Sequence, residues 1–156
     1  MPITFHTADI KFTLGQKRAL QQFILLKINE LSKYKALHLS FIFCSDEYLL
    51  NINRQFLNHD YYTDIITFPL TNTPELLEAE IYISVDRVRE NSSQFAVRSS
   101  RLKNASHEES FRQEILRVIF HGILHLLGHK DKTPAQKAAM RKAEDQWLKE
   151  FSVYSL

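Results

Sequence analysis

Between Phe111 and Leu127 the chain carries two faces of one helix. At about 100° per residue, Ile115, Leu116, Ile119, Ile123, Leu124 and Leu127 share one face. Glu114, Arg117, Val118, His121, His125 and Gly128 form the stripe beside it. An apolar face of that length reads as a buried surface. His121 and His125 lie one turn apart at the edge of the buried surface, where two imidazoles can meet one metal ion and still face solvent. Gly128 can take the left-handed conformation that ends a helix. A chain turning back there can bring Asp131 round as a third ligand, leaving the fourth position of a zinc site open. His129 is the other candidate third ligand, and the stop at Gly128 takes it off the stripe. Zinc proteases of the His-Glu-Xaa-Xaa-His type carry a general-base Glu where this chain has Gly122, so that base is missing and a metal hydrolase here would organise its chemistry differently.

The rest of the chain frames this helix. Its 156 residues suit a single domain over 1–156, and a hydrophobic fraction of 44% suffices for a core. Three Gly and four Pro argue against disorder and against a turn-rich all-β fold. One cysteine, Cys44, excludes an internal disulfide and a cysteine-based zinc knuckle. The N-terminal residues lack the pattern of a signal peptide, and no apolar run approaches the roughly 20 residues of a membrane span. The expectation is a cytoplasmic protein without a membrane partner. A net charge of +2 permits a nucleic-acid partner without indicating one.

Periodicity predicts an α+β fold with about four strands in a mixed sheet and four or five helices. Strands are expected at Ile3–Ile10, Leu37–Cys44, Asp64–Leu70 (stopped by Pro69) and Glu80–Val85. Helices are expected at Leu14–Tyr34, at Glu47–Leu57 behind an Asp46 cap, at Arg87–Ala96, at Phe111–Leu127 and at Pro134–Phe151. In the first helix Leu20, Phe23, Ile24, Ile28 and Leu31 form the buried face. Ser99–Ser106 reads as a surface loop, with Ser106 and Glu109 or Ser110 and Gln113 at capping-box spacing.

Several side chains outside the long helix carry functional readings. Arg87, Arg89, Arg98, Arg101 and Lys103 form a basic stretch opposed only by Glu90, able to contact phosphates or to serve as a solvated face. Tyr61, Tyr62 and Phe68 could stack on unpaired bases, the two tyrosines being the better surface candidates. Asp64 could orient a metal-binding histidine or bond the local backbone. Cys44 reads as a small buried hydrophobe, and Trp147 and Leu148 as core.

Three stretches together resemble a known family. His-Gly-Ile-Leu-His-Leu-Leu-Gly at 121–128 is similar to the signature of the YbeY metal-dependent endoribonucleases, the rRNA maturation factors. Asn53-Arg-Gln-Phe56, Asp60 and Thr63-Asp-Ile-Ile-Thr-Phe-Pro69 resemble a second family motif, and Glu80-Ile-Tyr-Ile-Ser84 a third, all in family order. The resemblance implies one zinc ion per chain held by His121, His125 and Asp131, with Asp131 at the position of a third histidine and His129 at a tyrosine position. It places Leu57 where the family has an arginine. Leucine cannot hold phosphate, so His59, Arg54 or Arg117 is expected to substitute, Arg117 being favoured because it shares the histidine stripe.

The implied activity is zinc-dependent, single-strand-specific cleavage of RNA in rRNA maturation and ribosome biogenesis. RNA, ribosomal RNA and the ribosome are the expected partners. The alternatives are a ribosome-assembly factor with a structural metal, and a metal-dependent hydrolase of another substrate such as a peptide.

Overall fold

The computed structural model describes residues 2–98 and 106–156. Its elements run β1 (Ile3–Thr7), α1 (Lys17–Leu31), β2 (Ala36–Cys44), α2 (Asp46–Leu57), β3 (Ile65–Asn72), β4 (Leu76–Ser84), α3 (Val85–Arg98), α4 (His107–Leu126) and α5 (Pro134–Tyr154). The described residues form an α+β domain around one mixed four-stranded sheet of order β1-β2-β4-β3. β1 and β4 flank β2 in parallel, and β3 closes the edge antiparallel to β4.

The sheet has one heavily covered face. Leu39, Phe41 and Phe43 of β2 and Leu77, Ala79, Ile81 and Ile83 of β4 alternate onto it and are buried. α1 and α4 supply Leu20, Phe23, Ile24, Ile28, Ile115, Ile119, Phe120 and Ile123 to the same core. Phe23, Phe120, Trp147 and Phe151 meet at centroid separations of 5.2–6.3 Å, which locks α5 against α1 and α4. On the other face, α2 covers a smaller cluster of Cys44, Leu49 and Ile66.

Gly122 sets how closely α4 approaches the sheet. A Cβ there would lie 2.9 Å from Ile65 Cδ1 and 3.4 Å from Ile81 Cγ2. The absence of a side chain therefore lets the histidine-bearing turn sit directly on β3 and β4. A side chain there would have to displace the tip of Ile65.

The structure corrects several expected boundaries. β3 does not stop at Pro69 but runs on to Asn72, with a register shift between Pro69 and Thr71. Pro69 is tolerated because β3 is the edge strand, where a missing N–H breaks no necessary ladder bond. Leu31 is exposed rather than part of the α1 core face, because α1 ends there. Ser45, not Asp46, caps α2, its side chain accepting the Tyr48 N–H. Asp46 instead accepts bonds from Ser84 Oγ at 2.6 Å and Arg87 Nη2 at 2.8 Å. α4 begins at His107, because Ser106 Oγ accepts the Glu109 N–H at 3.1 Å. β4 starts at Leu76, and Val85 opens α3. The expected Ser99–Ser106 loop, up to Ser106 itself, lies outside the described residues, as do Arg101, Lys103 and the side chain of Arg98.

Candidate metal centre

The turn after α4 decides which residues can meet. Gly128 has φ +102°, the His129 N–H bonds Leu124 O at 3.0 Å, and the Gly128 N–H bonds His125 O at 3.0 Å. This paired C-terminal cap reverses the chain within two residues. Asp131 comes back over the helix, and His129 is exposed and outside the cluster.

Asp131 Oδ2 lies 3.4 Å from His121 Nε2 and 3.3 Å from His125 Nε2. The two imidazole rings are 4.6 Å apart and nearly perpendicular at 84°. One ligand atom from each of the three residues falls within 4.8 Å of the others, the single such group of three among the described residues. The three side chains are 23%, 34% and 37% exposed, so the group is anchored in protein and open to solvent.

Behind this group stands a residue that periodicity and motif alone did not single out. Glu144 of α5 is buried, and its Oε2 accepts the His121 Nδ1–H at 2.7 Å. A carboxylate only accepts, so the proton sits on Nδ1 and the lone pair of Nε2 points at the cluster. Glu144 Oε1 takes a bond from Arg117 Nη1 at 3.1 Å, and Arg117 Nη2 reaches Asp145 Oδ1 at 2.7 Å. Burial opposes a charge on His121, yet the bond to Glu144 and the nearby Asp131 and Asp64 carboxylates raise its pKa above the usual imidazole value. The signal that could have found Glu144 was its place among apolar neighbours: with Met140, Trp147, Leu148 and Phe151 it lies on the buried face of α5.

The donor set fits zinc. Two imidazole nitrogens and a carboxylate oxygen are ordinary zinc ligands. Ligands about 2.0–2.1 Å from a tetrahedral ion stand about 3.3–3.4 Å from one another. The two Nε2–Oδ2 separations match that spacing. With Glu144 bonded to Nδ1, His121 turns its Nε2 toward Asp131 Oδ2, where a proton or a metal cation can sit between them.

The other expected site residues lie apart or are engaged. Arg117 is close to His121 but only 12% exposed, and it is bound to Glu144 and Asp145. His59 is exposed just beyond α2, where it stacks on Tyr61 at 5.1 Å and shares a 2.8 Å hydrogen bond with its hydroxyl. Arg54 pairs with Asp60, and Leu57 is 41% exposed. Arg87 pairs with Asp46 and lies 4.9 Å over the Tyr62 ring, while Arg89 pairs with Glu108 and sits 4.0 Å over Phe111. Arg87 is half-buried in these contacts, and Arg89 makes its pair at the exposed surface.

Asp64 lines the same cavity as His121, and the partner of His121 Nδ1 is Glu144. Burial raises the pKa of Asp64, opposed by the nearby His121. Buried Asn53 donates from Nδ2 to Tyr61 O and accepts the His59 N–H on its backbone carbonyl, fastening the loop that leads to Asp64.

Comparison with known proteins gives the family of the chain. Residues 2–152 match the family model described as Endoribonuclease YbeY. An Endoribonuclease YbeY of Cytophaga hutchinsonii is 43% identical over 146 residues, covering 94% of this chain and 93% of that protein. One from Bacteroides thetaiotaomicron is 39% identical over 148 residues, covering 95% and 98%. The solution structure of a Thermotoga maritima protein superposes with a TM-score of 0.55 at 25% identity, over 96% of this chain and 88% of that one. With the family model spanning nearly all of its length, this chain belongs to the endoribonuclease YbeY family.

Proposed function

We propose that the protein is a zinc-dependent endoribonuclease that cuts single-stranded RNA during maturation of ribosomal RNA, in the cytoplasm and in contact with the ribosome. The observation that carries this reading is the convergence of His121, His125 and Asp131 within 4.8 Å, in a chain of an endoribonuclease family. Among the described residues no helix is long and apolar enough to cross a membrane.

His121, His125 and Asp131 would hold one zinc ion. The ion supplies Lewis acidity, the means to polarise a phosphoryl oxygen or to acidify water. The protein's own part is to keep the donors in place. Glu144 fixes the ring orientation and proton position of His121, and Arg117 holds Glu144. Two neutral imidazoles and one carboxylate leave a divalent ion with a formal charge of about +1, which attracts a phosphodiester but acidifies water less than a three-histidine site. Arg117 is proposed to act through Glu144, and His59 to contact RNA from the exposed end of α2.

Zinc content and cleavage of a single-stranded oligoribonucleotide test the proposal together. The expected result is about one zinc per chain in the wild type, sharply reduced in Asp131→Ala, with cleavage abolished in a folded His125→Ala protein. Zinc retained without cleavage by the wild type would point to a binding factor with a structural metal. Undiminished zinc in Asp131→Ala would remove that residue as a ligand.

A further inference from the structure

The cavity beside the three donors has a second wall, supplied by α5. Its volume is about 350 Å³, and its lining includes His121 and Asp131 on one side and Lys137, Met140, Arg141 and Glu144 on the other. Met140 and Glu144 are buried and form the floor. Lys137 and Arg141 are exposed and lie one helical turn apart, so they project from the same side of α5.

We propose that Lys137 and Arg141 form a phosphate-holding rim, along which the backbone of single-stranded RNA lies as it enters the site. The proposal rests on the endoribonuclease reading and adds the surface that receives the strand.

The cavity is lined by four carboxylates, Asp64, Glu114, Asp131 and Glu144, and three cations, Arg117, Lys137 and Arg141. Three of these carboxylates are compensated or hold their protons more tightly: Glu144 is bound by Arg117 and His121, and burial raises the pKa of Asp64 and of Glu114. Arg117 attracts the Glu114 carboxylate and Arg141 does so too, so the acidic interior is met by cations on both helices. Lys137 and Arg141 are the exposed cations of the lining. Around them, the segment from residue 129 to residue 142 carries Lys130, Lys132, Lys137, Arg141 and Lys142 against the single carboxylate of Asp131. A guanidinium can grip a phosphate through two parallel bonds, and an ammonium one turn away can take the next phosphate as a point charge. Arg117 is held in its ion pairs with Glu144 and Asp145.

Fluorescence anisotropy with a labelled, single-stranded 2′-O-methyl oligonucleotide tests the rim on zinc-loaded protein. When a protein neutralises one phosphate fewer on a single strand, the plot of log affinity against log salt flattens by about 0.7. Lys137→Gln with Arg141→Gln is expected to weaken binding about tenfold and to flatten that plot by about 1.4, with zinc content unchanged. Lys149→Gln removes one positive charge at an exposed position of α5 outside the cavity, and should bind as the wild type.

Weakening in Lys149→Gln as large, per charge removed, as in the double variant would mean a diffuse charge effect and overturn the proposal. Unchanged affinity in the double variant, while the wild type still cuts unmodified RNA, overturns it and leaves the endoribonuclease reading intact. If the wild type neither binds nor cuts RNA, both fall. Should the double variant fail to fold, Lys137→Gln alone decides, with about half the change in salt slope expected.

Discussion

Glu144 Oε2 and His121 Nδ1 are 2.7 Å apart, joining α5 to α4 across 23 positions of sequence. A metal-binding imidazole is useful only if its ring is fixed and the correct nitrogen carries the proton, and this one contact supplies both. Glu144→Gln preserves the shape but removes the charge. Its zinc affinity, measured by chelator competition, should fall about 10–100-fold. Arg117→Ala leaves the buried Glu144 carboxylate without its cation and should cost on the order of 3 kcal/mol in urea unfolding. An Arg117→Ala protein as stable as the wild type would show that Arg117 does not serve as the support of Glu144.

Gly122 makes a steric prediction. A β-branched residue there would press its methyl groups into Ile65 and Ile81. Gly122→Val is expected to lose about 1–3 kcal/mol of stability, because the tip of Ile65 or the helix turn must give way. Stability equal to the wild type would show that Ile65 or α4 can give way without cost.

The pair of Lys27 and Glu150 gives stability a pH dependence. Their 2.5 Å contact ties α1 to α5. The hydrogen bond from Lys27 is the main reason that the pKa of Glu150 falls below the ordinary glutamate value. Burial opposes the charge on Lys27, but Glu150 raises its pKa overall. Stability from a lowered carboxylate is present above its unfolded pKa and is lost as pH falls through the folded one. Stability from a raised lysine is present below its unfolded pKa and is lost as pH rises through the folded one. The pair therefore stabilises across neutral pH and fades toward both extremes. Because Glu150 is 36% exposed, the contribution should stay below about 1 kcal/mol. Urea titrations of Lys27→Met and wild type should differ at about pH 7 and converge in acid, near pH 3.

Cys44 should be chemically silent in the native state. It is fully buried, and burial, helped by Asp9, Asp86 and Asp46, pushes its thiol up to about 12. At pH 8 only about one molecule in ten thousand would carry the reactive thiolate. A thiol reagent should label the unfolded chain quickly and the folded one at the rate of unfolding. Rapid labelling of the native protein would contradict this burial.

What the sequence determined by itself was local. The apolar period of α4, the one-turn spacing of His121 and His125 and the reversal at Gly128 are contained within eighteen residues, from Phe111 to Gly128, where helix geometry alone places the side chains. That turn by itself left Asp131 and His129 both open, and the family resemblance favoured Asp131; the fold brings Asp131 to both histidines. The tertiary structure decided everything that depends on neighbours from distant positions. Pro69 continues a strand because β3 lies at the edge of the sheet. Asp46 gives up its capping role because Ser84 and Arg87 are within reach. Arg117, on the right stripe for substrate, turns instead to Glu144 and Asp145, two carboxylates that only the packing of α5 brings beside it. Helix periodicity says which side of α4 these groups occupy. Only the packing of α5 against that side says what they meet, because a buried charge takes the partner that the fold supplies.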